Sequence, residues 1–450
     1  MIAPARTAAY EVLRRVATGR SDLPTALSSV RDSLKDDRDR ALATDIAVGT
    51  VRWRAMLDHL IAHGSNRALD RLDDEVVDIL RMSVYQLLHL TRVPASAVVD
   101  DAVNLTKKIG KKSASGLVNA VLRATSRSRA SLPVPPRPDD PSNRVEVLDY
   151  LSITLSHPRW LVERWLDRVG FERTEAWLQF NNTPAPLTLR VVSGRTTRDT
   201  LLAQLAEGEV VAHAATYAPD GIVVDRGNLR EEAARGEFVV QDEASQVVAL
   251  LAGASPGPLV LDTCASPGGK ATAIAASLHE GARLVACDLR DRRIALLQRT
   301  IASTGAANIR LVQADAARPL PFQPLFSTVF VDAPCSGLGT LRRDPDIRWR
   351  RTAADLPGLS ATQSTMLAHA AAVVRPGGRL VYATCSSEPE ENELVVTDFL
   401  ERHPAFSPVS PTAANGAIAA DLVDVDGHLR TEPDRHGLEL FFGAVFERAH

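Results

Sequence analysis

A chain of 450 residues, 45% hydrophobic and 24% charged, exceeds what one hydrophobic core usually holds and reads as two or three ordinary globular domains. No apolar run reaches the roughly 18 residues of a membrane span, and Glu11, Arg14 and Arg15 interrupt the opening residues, which suit a first structural helix better than a leader. The net charge of −3 is uneven: residues 104–144 hold four lysines and five arginines against Asp139 and Asp140, as expected of a segment facing a polyanion, or of a solvated helix face.

Residues 1–131 read as helices throughout. "RALATDIAVGTVRWRAMLDHLIAHG" (40–64) and "DDEVVDILRMSVYQLLHLTRVP" (73–94) place apolar residues at helical spacing, and Pro94 closes the second. The basic "KKIGKK" supplies Lys107, Lys108, Lys111 and Lys112. "LPVPPRPDDPSNR" holds five prolines and opens an expected linker over 132–149. Residues 150–238 mix a helix, "PRWLVERWLDRVG", with a strand-like "PLTLRVV", and are expected to form a small α+β segment.

From 239 to 450 strand-like and helical runs alternate. "PLVLDTC", "RLVACDL", "NIRLVQAD", "STVFVDAP" and "GGRLVYATC" are short and nearly all apolar, which predicts a mostly parallel sheet covered on both faces. "LELFFGAVFER" (438–448) is expected at its edge. Ligands of such sheets bind at the carboxyl ends of the strands, where Asp262, Asp288, Asp315, Asp332 and Cys385 all fall.

The cofactor class follows from what "DTCASPGGKAT" (262–272) lacks. Cys264 stands where a phosphate-binding GxxxxGK[ST] loop needs its first glycine, Ala271 follows the lysine, and GxGxxG is absent. What remains is a tight Gly268-Gly269 turn that admits close approach of a ligand. Asp288 is placed for the hydroxyls of a ribose and Asp315 for an adenine edge. A ribose and an adenine without a pyrophosphate cradle point to S-adenosylmethionine.

The four cysteines, 264, 287, 335 and 385, form no CxxC pair and have no histidine close in sequence, so no metal is expected. Cys335 and Cys385 both sit at ends of strands expected side by side, and position alone leaves open which is a nucleophile. Cys264 and Cys287 read as small buried residues.

"DTCASPGGK", "DAPCSG", "RRDPDIRW" and "YATCSSEPEEN" together closely resemble the RsmB (Fmu/Sun) family of S-adenosylmethionine-dependent RNA cytosine-C5 methyltransferases. The likeness extends to "GEFVVQDEASQ" (236–246), to "PLTLRV", and to the N-terminal helices, which resemble a NusB-like RNA-binding domain; residues 410–436 are the least recognisable. Where the family usually has "TDGFF" this chain has "RHGLELFF".

The resemblance implies an α/β Rossmann-like class I methyltransferase domain with a seven-stranded sheet, preceded by an all-α NusB-like domain and the small α+β segment. It implies methylation of 16S rRNA, at cytosine 967, on naked RNA or a small-subunit assembly intermediate, by a cytoplasmic monomer. Cys385 would be the nucleophile, Cys335 would assist product release, Asp332 would contact N3 of the base, and Lys270 would lie near cofactor and base. Cys264, Ala265, Ser266, Pro267, Gly268, Gly269, Lys270, Asp288, Arg293, Asp315 and Asp332 would hold the cofactor. Arg342, Arg343, Arg348 and Trp349 of "LRRDPDIRWRR" would meet RNA with Lys107, Lys108, Lys111 and Lys112. Two alternatives stand beside this: a tRNA cytosine-C5 methyltransferase of the same fold, or a non-catalytic assembly factor that only binds RNA. The NusB-like helices favour rRNA, and the intact cysteines, acids and Gly-Gly turn argue against a decayed site.

Overall fold

The computed structural model describes residues 2–227, 229, 236–253 and 257–450. The chain forms two compact units, Met1–Pro184 with Leu341–Ala353, and Ala185–Thr340 with Ala354–His450. The first unit thus runs on to Pro184, and the last residues of the expected linker, Arg144–Asp149, form a helix. Residues 228 and 230–235 of the expected α+β segment lie outside the described residues.

In the first unit α1 (Pro4–Ala17), α2 (Leu23–Arg31), α3 (Asp37–Arg52), α4 (Arg54–Ser65), α5 (Asp74–His89), α6 (Ala95–Lys108) and α7 (Ser115–Arg127) enclose one apolar core. Asp22 and Asp36 cap α2 and α3 by accepting from the N–H groups of Thr25 and Arg38. Arg6 reaches across the bundle to Asp101 at 2.6 Å and Gln86 at 2.8 Å, so the α1, α5 and α6 positions depend on one buried guanidinium. After α8 (Arg144–Asp149), α9 (Arg159–Asn182) breaks at Gly170, whose φ of 81° is incompatible with a continuous helix.

The returning segment 341–353 is stitched into this unit by buried polar contacts. Arg348 has no exposed surface and donates to the carbonyls of Ser156 (3.1 Å), Leu341 (3.2 Å) and Asn181 (3.3 Å) and to Asn182 Oδ1 (3.0 Å). Buried carbonyls need donors, and the five N–H groups of an arginine can serve several at once. Asp346 accepts from the N–H of Leu23 at 3.1 Å, and the Trp349 indole N–H donates to the carbonyl of Val51 at 2.7 Å.

The second unit holds two sheets. In the smaller, β1 (Leu187–Val191), β2 (Val211–Ala214), β3 (Gly221–Arg226) and β4 (Phe238–Val240) are antiparallel in the order β2-β3-β1-β4, and α10 (Arg198–Glu207) packs on them through Leu201 and Leu205. The larger contains β5 (Leu259–Asp262), β6 (Arg283–Asp288), β7 (Ile309–Gln313), β8 (Phe326–Asp332), β9 (Val374–Thr384), β10 (Phe406–Val409), β11 (Leu429–Thr431) and β12 (Phe441–Arg448). Its order is β10-β12-β9-β8-β5-β6-β7, parallel from β7 to β9. The seven strands expected from the sequence are present, and short β11 makes an eighth beside β12.

The final strand is not at the edge. β12 is antiparallel to β9 on one side and to β10 and β11 on the other, and Phe441–Phe446 are all buried. An apolar run without polar alternation demands cover on both faces, which an interior position supplies. Helices Glu243–Gly253 and Gly269–Ser277 cover one face, and Leu356–Val373 and Glu393–Arg402 the other, giving a separate apolar core on each side.

Candidate active site

β5, β6, β8 and β9 run parallel, so their carboxyl ends lie at one edge of the sheet. A cavity of about 510 Å³ opens there. Cys264, Lys270, Asp288, Arg293, Asp315, Asp332, Cys335 and Cys385 all line it, with Met366 and Phe441 as apolar wall. Ala265, Ser266, Pro267, Gly268 and Gly269 build the turn between β5 and the helix Gly269–Ser277. Gly268 has φ +111°, and a Cβ there would stand 2.9 Å from Leu297 and Thr300 side-chain atoms, so the turn closes only around glycine.

Asp288 closes the turn from the next strand. Its carboxylate accepts from the N–H of Ser266 (3.2 Å) and of Leu289 (2.8 Å), and Arg293 lies 3.0 Å from it while also donating to the Ser266 carbonyl at 2.8 Å. Arg190, in "PLTLRV", secures the other flank. Buried on β1, it donates to Gln241 Oε1 and Thr272 Oγ1, each at 2.7 Å, and burial lowers its guanidinium to about 10. The small sheet is thereby fastened to the first turn of the ligand-side helix. The sequence reading assigned Arg190 no role; an arginine in an otherwise apolar strand was the available signal.

The two thiol loops leave adjacent strands. Asp332 of β8 pairs with Ala383 of β9, the N–H of Ala333 donates to the Ala383 carbonyl at 2.9 Å, and the N–H of Gly339 donates to the Cys385 carbonyl at 2.9 Å. The Sγ atoms of Cys335 and Cys385 stand 3.2 Å apart, and both residues are partly exposed to the cavity. A Cβ on Gly339 would lie 2.0 Å from the Leu440 carbonyl oxygen, so glycine is required where the segment "RHGLELFF" passes. That segment delivers Phe441, whose ring lies 5.3 Å from Lys270 Nζ.

Glu391 joins the loops from behind. Fully buried, it accepts from the N–H of Ser336 (2.8 Å), Gln363 Nε2 (2.9 Å) and Ser386 Oγ (2.5 Å). Asn392 adds a bond to the Ser386 carbonyl at 2.9 Å. Neither residue was singled out in the sequence, although both belong to "YATCSSEPEEN".

The electrostatics separate the four cysteines. Burial pushes the thiols of Cys264 and Cys287 up, to about 12 for Cys287. Cys335 is raised by its hydrogen bond to Cys385 and then by burial, so it keeps its proton and can donate it toward its neighbour. Lys270 Nζ lies 2.8 Å from Asp332 Oδ2; burial works against its charge, but Asp332 and Cys385 hold it above its ordinary value. Asp262, with no exposed surface and an Oδ2 without a partner, is raised to about 8 by burial and by nearby Asp332.

The residues expected to bind RNA belong to the first unit, and the structure corrects two of them. Arg348 is consumed by buried carbonyls and has no surface to offer a phosphate. Trp349 is half-buried, bonded to Val51, with the Arg54 guanidinium 5.5 Å from its ring, so it does not present a free stacking face. Arg342 lies over the Phe180 ring at 4.3 Å and donates to the Pro184 carbonyl, and Arg343 is half-buried. Lys107, Lys108 and Lys112 are exposed, whereas Lys111 pairs with Asp73 at 3.1 Å.

Comparison with known proteins agrees with this architecture. The model of the 16S rRNA methyltransferase RsmB/F family matches residues 249–447, the NusB family matches 3–127, and the RsmF/B-like ferredoxin-like domain matches 157–229. Ribosomal RNA small subunit methyltransferase B of Pseudomonas putida is 36% identical over 404 residues, 89% of each chain. The probable ribosomal RNA small subunit methyltransferase B of Bacillus subtilis is 31% identical over 92% of each chain. Among solved structures, PH0851 superposes with a TM-score of 0.79 at 24% identity, covering 100% of this chain and 99% of that one, a likeness of fold.

Proposed function

The chain belongs to the RsmB/F family of 16S rRNA methyltransferases, and we propose that it moves a methyl group from S-adenosylmethionine to C5 of a cytosine in 16S rRNA, cytosine 967 by family likeness, through a covalent adduct on Cys385. The observation that carries this reading is the pair of sulfurs 3.2 Å apart, in one cavity with the Lys270–Asp332 ion pair.

The cavity suits the cofactor. Asp288 would offer a carboxylate to the ribose hydroxyls, Asp315 would face the adenine edge, and Met366 supplies apolar wall. The bound cofactor would supply an electrophilic methyl group on a sulfonium.

C5 of cytosine is a poor nucleophile until a group adds at C6. The Cys385 sulfur forms the S–C6 bond as the C5–C6 π pair shifts toward C4–N3; N3 takes a proton through Asp332, supplied by its Lys270 partner, and returns it on elimination. C5, now enamine-like, takes the methyl group. Loss of its proton to a base returns the electrons and expels the thiolate from C6, with Cys335 assisting. The target base must be unstacked to enter, which costs a few kcal/mol and favours cytosines outside duplex stacks.

The NusB-like unit, through exposed Lys107, Lys108 and Lys112, supplies charge for rRNA phosphates. Among the described residues no helix is long and apolar enough to cross a membrane. By family likeness, and not from that absence, we place the protein in the cytoplasm as a monomer acting on RNA.

The test is transfer of labelled methyl groups to unmodified small-subunit RNA, followed by bisulfite mapping. The expected result is one protected cytosine, at 967. Label appearing only in tRNA would transfer the assignment to the alternative substrate, and no label in any RNA would overturn the enzyme reading.

A further inference from the structure

We propose that Cys335 and Cys385 are also an oxidation site, which hydrogen peroxide converts to a disulfide that stops methyl transfer and that a dithiol reductant reopens. Formation of the bond depends only on the geometry of the pair; its effect on activity rests on the reading of Cys385 as nucleophile.

The sulfurs are already in contact at 3.2 Å, and a disulfide of about 2.05 Å needs them to close by about 1.2 Å. This proximity is fixed by backbone. Parallel pairing of β8 with β9, the Gly339 bond to the Cys385 carbonyl, and the three bonds of Glu391 hold both loops in one register. Both thiols border the cavity, wide enough for a small oxidant, whereas Cys287 has no exposed surface. The thiolate is the form of a cysteine that attacks peroxide.

The steps balance. The Cys385 thiolate attacks one peroxide oxygen; an S–O bond forms, the O–O bond breaks, and hydroxide leaves to become water. The Cys335 sulfur then attacks the sulfenic sulfur. An S–S bond forms, the S–O bond breaks, and the departing hydroxide takes the Cys335 proton. Two thiols and one peroxide yield one disulfide and two waters. Capture by Cys335 also stops Cys385 from climbing to the irreversible sulfinic acid.

The experiment treats the whole purified protein with equimolar peroxide, quenches it, alkylates remaining thiols under denaturing conditions, and reads intact mass and peptides. The expected result is loss of about 2 Da with the peptides of Cys335 and Cys385 joined. Methyl transfer should be lost in parallel and regained with dithiothreitol. In Cys335→Ala, which has no partner thiol to capture the sulfenic acid, two equivalents of peroxide should add about 32 Da at Cys385, unaffected by dithiothreitol. Persistence of both alkylatable thiols in the wild type, or a loss of about 2 Da retained in Cys335→Ala, would overturn the proposal. A fully formed cross-link with undiminished transfer would overturn the switch together with the nucleophile reading, whereas an inactive Cys385→Ala without any cross-link in the wild type sinks the switch alone.

Discussion

Glu391 Oε1 accepts the backbone N–H of Ser336 at 2.8 Å, so a carboxylate six residues beyond one thiol fixes the main chain next to the other. Glu391→Ala leaves the Ser336 N–H, the Gln363 amide and the Ser386 hydroxyl without this acceptor in a buried place. The expected loss of stability is about 3 kcal/mol, since each orphaned buried polar group costs roughly 1–3 kcal/mol. The methylation rate should fall about a hundredfold, as expected for misplacement of reacting groups by about 1 Å. Urea unfolding and initial rates measured on the same preparation check both, and an unchanged rate in a destabilised variant would leave Glu391 a purely structural acid.

Removal of each thiol should give opposite phenotypes. Cys385→Ala should abolish transfer because no adduct at C6 can form. Cys335→Ala should leave RNA covalently attached, visible as a retarded band on a denaturing gel. The reverse pattern would give the nucleophile's role to Cys335.

Asp262 supplies a pH test. Its folded value of about 8 lies far above the roughly 3.9 of an unfolded aspartate, so the group favours folding fully below about pH 4. Above that, the unfolded chain releases a proton that the folded chain retains. The contribution therefore falls as pH rises, by about 1.4 kcal/mol per pH unit, until the folded group titrates near 8. Asp262→Asn should flatten this slope. Urea midpoints of both proteins between roughly pH 5 and roughly pH 8 provide the comparison, and parallel profiles would contradict the assignment.

The basic residues of the first unit divide into two behaviours. Substituting Lys107, Lys108 and Lys112 together by alanine should make the salt dependence of RNA binding shallower by up to about three in log–log slope. Arg348→Met should instead leave that slope unchanged and lower thermal stability, because the carbonyl and amide oxygens around it lose their donor. Fluorescence titrations across a salt series distinguish them.

The strand-end acids, the two thiols and the glycine turn were legible because each sits where a short apolar run stops, a purely local pattern. Arg348 was misread for the opposite reason. Five arginines around a tryptophan look like a phosphate grip, and only tertiary packing reveals that one of them is surrounded by carbonyls from α9 and its neighbours. Glu391 was hidden among Glu388, Glu390 and Glu393, since sequence does not distinguish a buried acid from a solvated one. The interior place of β12 was hidden too, because an apolar terminal run is consistent with an edge until short β10 and β11 are seen to cover it.

That cover also bears on self-association. A long exposed strand invites another chain to continue the sheet. Here the margin beyond β12 is divided between a four-residue and a three-residue strand, and the centre of β10 is Pro408, paired with Phe446 and without an N–H to offer. A second copy approaching this side meets an interrupted row of donors too short to template a ladder, so the methyltransferase sheet ends in a self-terminating border.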